Sequence, residues 1–119
     1  MEDVSDDEKV ESIRAFQSTI RKLETARAQM TRKGVSLTLI EKRLSALSIG
    51  LAILENVWHQ KPHPYLQAEL STARQVLDGL LPSIKSSYDK AKAGSPQSTL
   101  LKRRIQSLEW AIRAMDEQL

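Results

Sequence analysis

Between residues 37 and 58 the chain sets Leu37, Ile40, Leu44, Leu47, Leu51, Leu54 and Trp58 in unbroken alternation of three and four positions. A period near 3.6 sustained over about six turns is compatible with an α-helix and with no strand, whose side chains repeat every two residues. Ile49, Ile53 and Val57 add a second apolar row. The C-terminal half of this segment is therefore hydrophobic around most of its circumference and must sit centrally, touching more than one neighbour. The rest of the chain has to supply those neighbours.

Three breaks divide it: Gly34, the Pro62 and Pro64 pair, and Gly94-Ser95-Pro96. Before the first, Ile13, Phe16, Ile20, Leu23 and Met30 form a stripe interrupted by Arg27, predicting a helix over 6–33 with Gly34 as a left-handed C-terminal cap. The central segment is predicted over 37–60, with Thr38 and Glu41 as a capping box and Ser36 as a competing cap. Leu66, Leu70, Ala73, Leu77, Leu80, Ile84 and Ala91 predict a third helix over 64–93. Gly79 and Pro82 lie inside it, and Pro82 offers no N–H to the carbonyl of Asp78, so a kink or a break is expected at 78–82. Ser95 as cap and Pro96 at the first helical position open a fourth helix over 96–119, carrying Leu101, Ile105, Leu108, Ile112, Met115 and Leu119 in register. No stretch alternates with period two. The fold class is all-α: an antiparallel up-down-up-down four-helix bundle, against the alternative of two helical hairpins that complete their core only as a dimer.

With 119 residues, 40% of them hydrophobic and 28% charged, the chain matches one globular domain over 1–119. No cysteine is present, which removes disulfides and thiolate metal sites and favours a cytoplasmic address. The longest dense apolar run, residues 46–54, is too short for a transmembrane helix, so no membrane partner is expected. Residues 1–11 hold six acids against Lys9, and the first five are read as a disordered acidic leader on a basic body.

The phrases TLIEKRLSAL at 38–47 and TLLKRRIQSL at 99–108 resemble one another, and each follows a glycine turn that ends a basic helix. Duplication of a helical hairpin explains this, as does the general likeness of amphipathic helices. Either way an up-down bundle puts the first and third turns at one end. Arg32, Lys33, Lys42 and Arg43 then converge with Lys102, Arg103 and Arg104, helped by Lys90 and Lys92, in a basic pole suited to anions. The competing explanation is that these cations only complement helix C-termini or flank core stripes.

Catalytic chemistry has no positive signature. No glycine-rich phosphate loop or nucleophile elbow occurs. His59 and His63 are four apart, but the prolines bend that connector out of the helical pair geometry and no third ligand is near, so no metal and no cofactor is expected. Trp110 lies nearly opposite the apolar stripe of the fourth helix, beside Arg103, Arg113 and Glu117. It is read either as an anchor for a partner, since Trp and Arg recur at interface hot spots, or as a ring covered by arginines or by the leader. The expected function is a non-catalytic protein-interaction module, binding another protein or itself as a homodimer. The alternative is anion or nucleic-acid binding through the basic pole, disfavoured for nucleic acid because only five residues are aromatic and none interleaves with the arginines.

Overall fold

The computed structural model describes residues 3–119, and these form four helices with no strand among the described residues: α1 Asp6–Lys33, α2 Thr38–His59, α3 Gln67–Lys90 and α4 Pro96–Gln118. Their ends follow local chemistry. Ser5 caps α1, its Oγ accepting the Glu8 N–H at 3.1 Å, and three acids fill the first turn. Gly34 ends α1 at φ 71°, with its N–H on Thr31 O and the Val35 N–H on Met30 O. That pair of bonds is a Schellman closure, which a residue with a side chain adopts only under strain. Ser95 caps α4 through the Ser98 N–H, with Pro96 following.

Two helix starts differ from the sequence expectation. Thr38 is already helical, so the proposed Thr38 and Glu41 capping box does not form; Leu37 stands at the cap without a side-chain bond, and Ser36 Oγ reaches the Thr38 N–H only at 3.5 Å. α3 begins at Gln67 rather than Pro64, and Glu69 Oε1 accepts the Leu66 N–H at 3.0 Å. Leu66 consequently stays 69% exposed instead of joining the core stripe, and Leu119 at the far end of α4 is exposed as well. Residues 3–5 of the leader are placed too: Val4 is buried in the core cluster and Ser5 is the α1 cap. Met1 and Glu2 lie outside the described residues.

α3 continues as one helix through Gly79 and Pro82. Asp78, Gly79 and Pro82 are all exposed while Leu77 and Leu81 are buried, so the carbonyl that loses its partner lies on the solvent side, where water replaces the missing N–H. Pro82→Ala restores that hydrogen bond and is expected to raise the unfolding free energy by roughly 1–3 kcal/mol, the proline penalty less the unfolded-chain entropy it removes. Urea denaturation measures it; an unchanged or lower midpoint would mean that the proline is not strained here.

Paired side chains give the helix directions. Gln106 bonds Glu8 and Arg103 bonds Glu11, so α1 rises as α4 descends; Arg74 with Asp116 and Lys85 with Glu109 make the same statement for α3 and α4. The last turns of α2 and α4 meet through Asn56 and Gln118, which sends both glycine turns to the opposite end. α2 and α4 touch each other as well as both outer helices, whereas α1 and α3 are held apart. The bundle is accordingly flat, 43 × 38 × 20 Å. Its centre is Phe16, Leu47, Ile53, Leu54, Leu77 and Met115, with the small residues Ala46, Gly50, Ala73, Ala111 and Ala114 buried among them.

A chain of hydrogen bonds closes the end that carries the termini. The Asn56 Nδ2 donates to Lys61 O at 2.8 Å, Gln118 Nε2 donates to Asn56 Oδ1 at 3.1 Å, and Gln118 Oε1 pairs with His63 Nε2 at 3.1 Å. His63 Nδ1 accepts the Tyr65 N–H, which leaves Nε2 to carry the proton toward Gln118. The chain runs without a break from Lys61 through Asn56, Gln118 and His63 to Tyr65. It ties the proline-rich connector to the ends of α2 and α4.

Candidate functional site

Two surfaces were singled out by sequence, and the fold treats them differently. The first is the Trp110 face of α4. It is turned toward α1 rather than toward solvent: Arg103 Nη2 stands 3.3 Å from Glu11 Oε1, and Gln106 Nε2 donates to Glu8 Oε2 at 3.4 Å. Trp110 is half-buried and packed against the core cluster, with the Arg113 guanidinium 5.8 Å from its ring centroid. Arg113 in turn lies 3.7 Å from Glu117 Oε1. A cation over an indole face is attracted by the ring quadrupole, so Arg113 both covers and orients Trp110. The indole N–H is shut off from solvent and finds no acceptor. The ring thus packs on the core on one side and lies under Arg113, while Arg103, Arg113 and Glu117 around it are exposed.

The reason lies in how α4 packs. The large aliphatics describe one buried arc, but Ser107, Ala111 and Ala114 are buried too and widen that arc toward the tryptophan. A helix that meets three others needs a wide contact sector, and small residues let backbones approach without leaving a hydrophobic signature in the sequence.

The second surface is the turn end. Thirteen of the eighteen Lys and Arg residues fall in 20–48 and 79–107, the halves of the helices nearest the two glycine turns, with only Glu24, Glu41 and Asp89 as acids. The rest of the described residues hold eleven acids against five cations. The molecule is thus strongly bipolar although its net charge is only +3. Of the seven expected pole residues, Arg32, Lys33, Lys42 and Lys102 are exposed, Arg43 is half-buried, and none of these five makes an ion pair among the described residues. Arg103 is engaged by Glu11. Arg104 is half-buried: its Nε is excluded from solvent without a partner, and its side chain lines a gap of about 30 Å³ with Phe16, Leu47, Leu80 and Leu108. Its aliphatic stem packs, as long cationic side chains do. Val35 and Leu39, 48% and 58% exposed, stand among the free cations at the α1–α2 turn, an apolar element that charge patterning did not single out.

Little else in the fold is chemically primed. Among the described residues no group of three or more His, Cys, Asp or Glu side chains converges as a metal site, and no helix is long and apolar enough to cross a membrane. His59 is exposed and His63 belongs to the hydrogen-bond chain at the far end. Arg74 is held above its ordinary pKa by its hydrogen bond to Asp116 and then by the charge of that carboxylate; both side chains lie at the surface. The chain matches none of the protein-family models, none of the curated protein sequences and none of the solved structures compared with it.

Proposed function

We propose that the protein is a non-catalytic binding module that docks onto an acidic protein surface through its turn end. The observation that carries this reading is the segregation of unpaired cations to that end. Arg32, Lys33, Lys42, Arg43 and Lys102 have no acid to satisfy them among the described residues, while Arg103 and Arg113 beside Trp110 are each paired with an acid of the same chain. Cations left uncompensated on one pole create a field that steers and orients an anionic partner. Exposed Val35 and Leu39 between them favour a protein surface, which offers apolar side chains to cover; single-stranded nucleic acid would be served by exposed aromatics instead.

The test is fluorescence anisotropy with two labelled probes of equal charge, a helical peptide with glutamate on one face and leucine on the other, and a DNA duplex. The peptide is expected to bind more tightly. The combined variant Arg32→Glu, Lys33→Glu and Lys102→Glu is expected to weaken it by at least about tenfold at low ionic strength, with a smaller effect where salt screens the field. Undiminished peptide binding by this variant would sink the turn end as the docking surface. Tighter binding of the duplex, with a steep salt dependence, would replace the protein reading with nucleic-acid binding.

A further inference from the structure

The broad face formed by α2 and α3 carries a groove of about 380 Å³, lined by Ala46, Ile49, Ala68, Thr72, Ala73 and Val76, with Ser45 on its wall. Its floor is core: Ala46, Ile49 and Ala73 are buried, so the groove is separated from the centre of this thin molecule by a single layer of side chains. Two charges border it, Lys42 on α2 and Glu69 on α3. The two helices run in opposite directions, so Lys42 lies toward the turn end of the groove on one wall and Glu69 toward its other end on the opposite wall. Lys42 has no partner, and Glu69 uses only Oε1, on the Leu66 N–H, leaving Oε2 free among the described residues. The two most exposed large apolar residues extend the same diagonal, Leu39 one turn before Lys42 and Leu66 one turn before Glu69.

This arrangement is complementary to itself. We infer that the α2–α3 face is the interface of a two-fold homodimer, in which each Lys42 pairs with Glu69 of the second copy. A two-fold axis lying in the plane of the face, perpendicular to the line from Lys42 to Glu69, superposes each charge on its opposite and carries Leu39 toward the second Leu66. An isologous contact of this kind makes every interaction twice. The small residues of the floor let the second copy's helices come close, and the leucines and charges then form the border around an apolar centre. The dimer takes Lys42 and Leu39 out of the docking surface proposed above and leaves Arg32, Lys33, Arg43, Lys102 and Val35 at each of its two turn ends, offering two basic surfaces per assembly.

Sedimentation equilibrium over a wide concentration range tests this. Wild type is expected to reach twice the 13.4 kDa chain mass. Lys42→Glu and Glu69→Lys, each placing like charges opposite one another, are expected to weaken the dimer by at least about tenfold, and the exchange of both together to recover most of that loss. Glu69→Lys also removes the bond to the Leu66 N–H, so thermal melts of all variants separate folding from assembly. Ser45→Arg, at an exposed wall position, is expected to give a folded monomer. A wild type that stays monomeric throughout overturns the dimer. A dimer untouched by Ser45→Arg and by both single charge reversals overturns this face as its interface. Single reversals that weaken the dimer without recovery on exchange overturn the Lys42 to Glu69 register.

Discussion

Phe16→Ala is expected to lower the unfolding free energy by about 3–5 kcal/mol, a large part of the roughly 5–15 kcal/mol by which a native domain is stable. The ring is 1% exposed and is the only large side chain that α1 buries completely; the other fully buried α1 residues are Ser12 and Ala15. α1 packs on α2 and α4, and this ring is the most deeply buried side chain that α1 brings to that contact. Its seat exists because residue 50 is glycine. A Cβ built there would stand 2.9 Å from Phe16 Cε1 and 3.0 Å from Leu77 Cδ1, so both buried side chains would have to shift, and the gap of about 30 Å³ beside Phe16 is smaller than the ring it would have to receive. Gly50→Ala therefore sets two effects against each other: a helix-propensity gain of about 0.8–1 kcal/mol and an overpacking cost of about 1–3 kcal/mol. A net loss is expected. In a Phe16→Leu background the steric cost falls, so Gly50→Ala should be less harmful there than in wild type, and a double-mutant cycle by urea denaturation reads the difference directly. Additive losses would mean that the ring and residue 50 do not touch. Hydrogen exchange gives a second reading: in Phe16→Ala the amides of α1 should lose protection before those of α2 and α4.

That pair also shows what could be learned without coordinates. The stripe containing Phe16 was legible because large apolar residues recur at helical spacing, but a lone glycine inside a helical stripe, such as Gly50, suits a close crossing and a tolerated exception equally. Only the ring that lies over it decides between them, and that ring is remote in sequence. The same limit explains Trp110. Periodicity reports where bulky aliphatics go, whereas Ser107, Ala111 and Ala114 bury a second side of α4 with residues that sequence patterns treat as neutral. Helix ends were legible where one or two residues carry the chemistry, as at Gly34 and Ser95-Pro96. They were misplaced where polar candidates sat close together before α2 and where Pro64 imitated a first-turn residue before α3. The charge poles were legible because connectivity alone sends the two glycine turns to one end. What was not visible was which cations the fold would consume: Arg103 and Arg104 belong to the same basic run as Lys102, yet one meets Glu11 and the other is drawn into the packing. The chain of bonds from Lys61 to Tyr65 through Asn56, Gln118 and His63 left no trace in the sequence, since it joins polar residues separated by half the chain.

Trp58→Ala and Trp58→Phe are expected to differ sharply, and the difference measures a buried polar group. Trp58 ends the α2 stripe, is 6% exposed and belongs to the core cluster. Truncation to alanine removes an aromatic side chain from a packed site and should cost about 3–5 kcal/mol. Phenylalanine loses part of the ring volume, but it also removes the indole N–H, which is buried without an acceptor in the fold. A buried donor left unpaired costs about 1–3 kcal/mol, so its removal offsets much of the lost packing, and Trp58→Phe should fall within about 1 kcal/mol of wild type. Urea denaturation of both variants followed by far-UV circular dichroism decides the point, a probe that does not depend on the tryptophan being replaced. Should phenylalanine prove nearly as damaging as alanine, the indole must be donating to a bound water, and this end of the bundle would hold a hydrated polar site next to Asn56 and Gln118. Should phenylalanine be tolerated, the tryptophan is there for its volume, which fits its position: it fills the end of the apolar stripe just inside the polar chain that ties the connector down.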